Sequence, residues 1–152
     1  MEIVEPSNEV GVLTVVNTIA TVDPAAFPFR LLDYTTYRGY DALATLGRDD
    51  LPLEKLSMAY IEFKYELGST FNHLFKHLAG IVCWETNLKD GDEVTDVGDN
   101  GRKLAIVPGN LQKKEHTRYW LGADRSRNKI EIFVLKEYLN ERLDLRFEPR
   151  SG

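Results

Sequence analysis

A strict alternation of side-chain types over residues 60–67 constrains the fold of this chain most strongly. Ile61 and Phe63 alternate there with Glu62 and Lys64, and a period of two residues is typical of a β-strand with one buried face. Glu62 and Lys64 therefore project from the same side of the strand. A carboxylate beside an ammonium on a rigid strand suits metal-assisted hydrolysis, because the carboxylate can bind Mg²⁺ while the ammonium offsets phosphate charge. Taken alone, an E-x-K sequence is more often a solvated ion pair that contributes little to stability.

Two strands and a helix are predicted upstream of this strand. Residues 30–37 and 40–45 have strand composition and are separated by a turn, which places Asp41 in a strand that can pair with the strand of Glu62. A helix is predicted over residues 8–21, and Glu9 lies in its first turn. The helix dipole by itself favours an acid at that place.

An acid followed by E-x-K on a neighbouring strand resembles the motif of the PD-(D/E)xK superfamily of nuclease-like, or restriction-endonuclease-like, proteins. Here the acid is Asp41 and the E-x-K is Glu62-Phe63-Lys64, although Tyr40 stands where the family motif has proline. The resemblance implies an α/β fold in which helices flank both faces of a mixed central sheet. The implied core order is helix, three strands, helix, strand, followed by C-terminal strands and a helix.

The resemblance also implies roles for these residues. Asp41 and Glu62 would bind Mg²⁺, for which Mn²⁺ can substitute in the family, and Glu9 would orient a metal-bound water or a second ion. Lys64 would position the attacking water and stabilise the charge on the phosphate.

Apolar residues at helical spacing predict a second helix over residues 71–79. Asn72, His73 and Lys76 fall on its polar side. In the superfamily the corresponding helix flanks the active site, so these three side chains are expected to contact the substrate phosphate. The stretch of residues 71–85 also resembles nuclease-like modules appended to bacterial ATPases and defence proteins.

Length and composition predict one cytoplasmic domain covering residues 1–152. The chain is 43% hydrophobic and 28% charged, which is ordinary for a globular domain of this size. No apolar run approaches the roughly 20 residues that a membrane span needs, and the first residues are acidic where a signal peptide is basic. Cys83 lies in an apolar run, which predicts a buried thiol.

Charge is distributed unevenly along the chain. Residues 1–100 contain 7 Lys and Arg against 17 Asp and Glu, whereas residues 101–152 contain 12 against 7. In the basic part, Lys113, Lys114 and Arg118 lie close to Tyr119 and Trp120, and cations beside aromatic rings are the ingredients of nucleic-acid binding. A solvated loop explains the same residues equally well.

These observations predict a metal-dependent phosphodiesterase that hydrolyses nucleic acid, with DNA as the preferred substrate. The alternative is a catalytically inactive module of the same fold that binds nucleic acid or a partner protein. A homodimer or a larger host protein is left open, and a membrane is not expected.

Further strands are predicted over residues 81–85, 103–107, 117–123 and 129–134, and a helix over residues 135–143.

Overall fold

The computed structural model describes residues 2–34, 42–46, 57–122 and 129–149. In chain order its elements are β1 (Glu2–Val4), α1 (Glu9–Val22), β2 (Phe29–Tyr34), β3 (Ala42–Leu46), β4 (Ser57–Leu67), β5 (Leu78–Thr86), β6 (Glu93–Thr95), β7 (Gly101–Val107), β8 (Arg118–Gly122), β9 (Ile130–Val134), α2 (Leu135–Leu143) and β10 (Arg146–Glu148). Single 3₁₀ turns occur at Phe75–His77 and Leu111–Lys113.

Eight of the strands form one mixed sheet in the order β2-β3-β4-β5-β9-β8-β7-β6. The three central strands, β4, β5 and β9, run parallel to one another. Antiparallel strands extend the sheet on both sides, as the meander β2-β3-β4 and the meander β6-β7-β8-β9. The predicted α/β class and mixed central sheet are therefore confirmed.

The two faces of this sheet carry separate apolar clusters. Ile61 and Phe63 point to the face on which both described helices pack, which we call the helix face. Ile81 and Cys83 point to the opposite face, which we call the crossover face because the connection from β4 to β5 lies over it. Helices were predicted on both faces, but α1 and α2 contribute to the same cluster. The prediction of a two-sided helical covering is wrong for the described residues.

The predicted helix over residues 71–79 is also wrong. Residues 71–74 are irregular, the 3₁₀ turn follows, and β5 already begins at Leu78. Phe71 and Phe75 stack with their ring centroids 5.5 Å apart and are buried in the cluster of the crossover face. Their spacing of four residues imitates a helix, but tertiary contacts hold the segment in another conformation.

Helix α1 agrees with its sequence signals. Asn8 is the N-cap, and its side-chain oxygen accepts a hydrogen bond of 2.9 Å from the amide of Gly11, which satisfies one of the free amides in the first turn. The predicted bounds, residues 8–21, differ by one residue from the observed helix. Helix α2 has the predicted bounds, and neither of these described helices is long and apolar enough to cross a membrane.

The two ends of the described chain meet beside the sheet. Strand β1 pairs with β10 in parallel, in register from Glu2 with Arg146 to Val4 with Glu148. Phe147 of β10 also meets Trp84 of β5 edge to face, with centroids 4.7 Å apart. This pairing covers one end of the helix-face cluster.

Candidate functional site

The central strand β4 presents Glu62 and Lys64 to the crossover face. Glu62 is paired in register with Ile81 and Lys64 with Cys83, and both partners belong to the cluster of that face. Glu62 is only 2% exposed, although the alternation predicted a solvated side for these charged residues. The difference arises because the residues after β4 fold back over the strand.

His73 is the side chain that this fold-back brings to Glu62. Its Nε2 lies 3.5 Å from Oε1 of Glu62, a distance at which a protonated imidazole forms an ion pair with a carboxylate. Phe71 is near both side chains: its ring centroid is 6.2 Å from that of His73 and 5.3 Å from Nζ of Lys64. A carboxylate, an imidazole and an ammonium thus meet on one side of β4.

A buried aspartate anchors the segment that carries His73. The carboxylate of Asp96 accepts hydrogen bonds from the backbone amides of Phe75, Gly98 and Asn100 at 2.9, 2.9 and 3.0 Å. Burial alone would raise the pKa of Asp96, but these hydrogen bonds to its charged form outweigh burial and hold the pKa below its ordinary value. Asp96 therefore ties the crossover to the turn between β6 and β7.

The other predicted metal ligands do not join this group within the described residues. Glu9 lies in the first turn of α1, the helix that packs on the opposite face of the sheet. Asp41 lies outside the described residues, and the described part of β3 begins at Ala42, paired with Ile61. Across the parts of the chain that the structure describes, no three His, Cys, Asp or Glu side chains are grouped as a metal site.

The predicted nucleic-acid contacts divide between the two faces of the sheet. Asn72 and Lys76 are exposed on the crossover segment, close in sequence to His73. Arg118 points to the helix face, where it pairs with Glu131 at 2.6 Å. Lys113 and Lys114 are exposed in the connection before β8. One continuous basic surface that includes all six predicted residues is therefore not formed.

A cavity of about 500 Å³ lies away from Glu62, at the ends of β5 and β9 and the start of α2. Its wall includes Glu137, which accepts hydrogen bonds from the hydroxyl of Tyr119 at 3.0 Å. Burial raises the pKa of Glu137 above its ordinary value. Neither Glu62 nor Lys64 lines this cavity. The cavity is therefore separate from the predicted site of phosphodiester hydrolysis.

Cys83 lies beside Lys64 in the sheet and is fully buried. Burial raises the pKa of its thiol to about 12, so the group stays protonated near neutral pH and is a poor nucleophile. The predicted buried thiol is confirmed.

Sequence reasoning missed two features of this site. His73 was considered as a phosphate contact but not as the neighbour of Glu62, and no local pattern links the two residues. Asp96 lies in the polar, acidic stretch of residues 87–103, whose composition is typical of an exposed connection. Its signal was the sequence Asp96-Val97-Gly98-Asp99-Asn100, because an aspartate before glycine and asparagine often accepts backbone amides within a turn.

No protein-family model, no curated protein and no solved structure matches the chain.

Proposed function

We propose that the protein is a metal-dependent phosphodiesterase that hydrolyses nucleic acid, with DNA as the substrate, and that its core is of the restriction-endonuclease-like type. The observation that carries this function is that Glu62 and Lys64 lie on the same side of the central strand, with Glu62 buried beside His73. A carboxylate and an ammonium fixed on a central strand are held with little freedom, which favours positioning of a reacting group.

The order of the elements supports the proposed core. Helix α1 is followed by the antiparallel meander β2-β3-β4 and then by β5, which is parallel to β4. This is the implied order of helix, three strands and a further strand, except that a 3₁₀ turn replaces the second helix.

Each described side chain has a chemical task in this proposal. Lys64 would stabilise the negative charge that develops on the phosphoryl oxygens. His73, which is 28% exposed, would exchange a proton between solvent and the site. Glu62 would keep the imidazole oriented and would supply a carboxylate oxygen to a divalent ion.

The proposed cofactor is Mg²⁺, for which Mn²⁺ can substitute. Magnesium prefers carboxylate oxygens and retains several waters, so Glu62 together with Asp41 would be a sufficient protein contribution. Glu9 is left out of this ligand set because its helix packs on the other face. A bound divalent ion would supply Lewis-acid activation of the phosphodiester.

The test is cleavage of plasmid and single-stranded DNA with Mg²⁺ or Mn²⁺ by the wild type and by Asp41→Asn, Glu62→Gln and Lys64→Met. Each substitution should reduce the rate at least about 100-fold, the scale of losing one positioned charged group. Glu66→Gln is the matched control, because Glu66 is an exposed glutamate of the same strand that accepts a hydrogen bond from Asn87. Wild-type rates in both Glu62→Gln and Lys64→Met would refute the assignment.

The second candidate is the inactive module of the same fold. It is favoured by the position of Glu9 on the other face of the sheet, and the described residues contain no group of three His, Cys, Asp or Glu side chains that could hold a metal ion. Retained DNA binding with no cleavage by the wild type under any metal condition would select this function.

A further inference from the structure

The helices leave part of the helix face uncovered. They pack against the central strands, whereas on β7 the residues Lys103, Ala105 and Val107 are exposed. Val107 keeps 52% of its surface accessible. The helix face of β7 and β8 is therefore an open sheet surface beside the helical layer.

A cavity of about 270 Å³ lies where this open surface meets the core. One row of residues crosses the sheet beneath it, with Ile61 paired to Gly80, Gly80 to Glu131 and Glu131 to Trp120. All four line the cavity, together with Pro28, Phe29, Ala79, Lys129 and Phe133. Because Gly80 has no side chain, the floor of the cavity stays open between the larger neighbours.

Trp120 forms a wall of this cavity and is itself held in place. The guanidinium carbon of Arg118 lies 4.5 Å from the centroid of the indole ring, and Arg118 also pairs with Glu131. A ring stacked against a fixed cation loses little freedom when a second flat group packs against it.

Two further cations flank the ring. Lys103 is paired in register with Gly122, two residues after Trp120. The side chain of Lys129 passes over the same glycine, since a β-carbon placed on Gly122 would lie 3.4 Å from its Cγ. Glu131 is paired with Arg118, and Glu93 lies in register with Lys103 on the neighbouring strand, so among the described residues Lys129 is the lysine that lines the cavity itself.

His116 lies near the start of β8, next to both cations and carboxylates. His116 packs edge to face on Tyr138, with centroids 4.9 Å apart. Burial is the main cause that lowers the pKa of His116, and the nearby charges of Arg118 and Arg142 lower the pKa further. The carboxylates of Glu131 and Glu141 act in the opposite direction and raise the pKa, so charges of both signs surround the histidine.

We infer that this cavity binds one base of a single-stranded nucleic acid, stacked on Trp120, while Lys103 and Lys129 contact the adjoining phosphates. An aromatic wall, a largely apolar lining and flanking lysines are the combination that single-strand binding proteins use. A duplex does not fit the cavity, because its bases are paired and stacked.

The site lies on the face of the sheet opposite to Glu62. Binding of a base in this cavity does not require hydrolysis. The inference therefore applies whether the protein is an enzyme or an inactive module. Loss of binding here and loss of cleavage at Glu62 are measured separately.

The intrinsic fluorescence of the protein gives a direct test. The chain has two tryptophans; Trp84 is fully buried, and its Nε1 makes no hydrogen bond to the described residues. In Trp84→Phe, Trp120 is the single tryptophan. Titration with an oligothymidylate of about 12 nucleotides should quench its emission in a saturable way, whereas a duplex of equal length should not.

Affinity for the labelled oligonucleotide, measured by anisotropy, tests the individual contacts. Trp120→Ala should weaken binding by roughly 5- to 150-fold, which corresponds to about 1–3 kcal/mol, and Trp120→Phe should retain most of it. Gly80→Val should block the cavity, while its β-carbon lies at an ordinary contact distance of 3.6 Å from the nearest atoms. Thermal unfolding checks that each variant is folded.

The salt dependence tests the lysines. Removing Lys103 and Lys129 together should reduce the slope of log affinity against log salt by about 1.4, at about 0.7 per phosphate contact. Arg146→Gln, an exposed cation of β10 that lines the other cavity, is the control and should leave the slope unchanged. Equal affinity in the wild type, Trp120→Ala and Gly80→Val would overturn the inference, as would quenching by a proline-rich peptide but not by the oligonucleotide.

Discussion

Asp96 shows how one side chain can determine the geometry of a distant site. It is 5% exposed. Its carboxylate accepts hydrogen bonds from the backbone amide of Phe75, 21 residues earlier in the chain, and from the amides of Gly98 and Asn100 in its own turn. A charged acceptor serves this purpose well, because hydrogen bonds to a carboxylate are stronger than those to a neutral oxygen. The position of His73 beside Glu62 depends on this anchor.

Replacement of Asp96 by asparagine should lower the free energy of unfolding by about 2 kcal/mol near neutral pH. The amide nitrogen of asparagine cannot accept the hydrogen bonds that one carboxylate oxygen accepts now. Urea denaturation measures the difference. Asp99→Asn is the control, since Asp99 is exposed in the same turn with φ of 60°, a conformation that asparagine tolerates.

The same comparison has a defined pH dependence. The pKa of Asp96 is below its ordinary value of 3.8 in the folded protein, so its stabilisation is fully present above that value. The stabilisation is lost as the pH falls further, through the folded-state pKa. The difference between wild type and Asp96→Asn should therefore shrink below about pH 3.8, and a difference that stays constant there would contradict the role of the charge.

At the level of single residues, the sequence predicted what depends on local alternation. The shared side of Glu62 and Lys64 follows from a period of two, and the structure places both on the crossover face. The burial of Glu62 and its approach to His73 depend on how the chain returns over the sheet. A local pattern contains no information about that return.

Among the elements, the crossover shows why helical spacing can mislead. Phe71 and Phe75 have the spacing of one helical turn, yet the amide of Phe71 bonds to the carbonyl of Thr95 at 2.8 Å. The carbonyl of Ser69 in turn accepts the amide of Thr95. These long-range hydrogen bonds hold the segment in an extended conformation. No such bonds compete with the helical hydrogen bonds of α1 and α2 in the described structure, and both helices have nearly the predicted bounds.

The N-cap of α1 gives a prediction for this element. Asn8→Ala should lower the free energy of unfolding by about 1 kcal/mol, because the amide of Gly11 loses its acceptor. Asn8→Asp should retain the stability, since an acid is favourable at a helix N-terminus. Asn17→Ala, an exposed change in the middle of the same helix, should be neutral or stabilising because alanine has the higher helix propensity.

Those differences are small enough to require a paired measurement, with all variants unfolded in urea under identical conditions. A loss of stability in Asn17→Ala equal to that in Asn8→Ala would show that capping is not the cause.

For the molecule as a whole, the pairing of β1 with β10 joins the two ends of the described chain. Lys136 of α2 adds an ion pair with Glu5 at 2.9 Å. Because β1 has three residues and its only described strand partner is β10, its order depends on the C-terminal segment.

Phe147→Ala should therefore loosen both ends together. The substitution removes the ring that packs on Trp84 and should cost about 1–3 kcal/mol. Hydrogen exchange should accelerate at residues 2–5 as well as at residues 146–148. In the neighbouring variant Arg146→Gln, which changes an exposed side chain of the same strand, both regions should keep their protection. Faster exchange at β10 alone would show that β1 is held independently.

The order of the sheet has a consequence for the route by which the chain folds. The neighbours β5 and β9 are joined by residues 87–129, and the antiparallel strands β6, β7 and β8 lie within that connection. Hairpins close short loops and form quickly, whereas a parallel pair separated by a long connection must first overcome the entropy of closing it. The outer meanders are thus suited to form early, and the docking of β9 against β5 to complete the core late. Newly synthesised chains would reach this step only after β9 has left the ribosome, and until then the apolar edge of β5 would be the surface that chaperones need to protect.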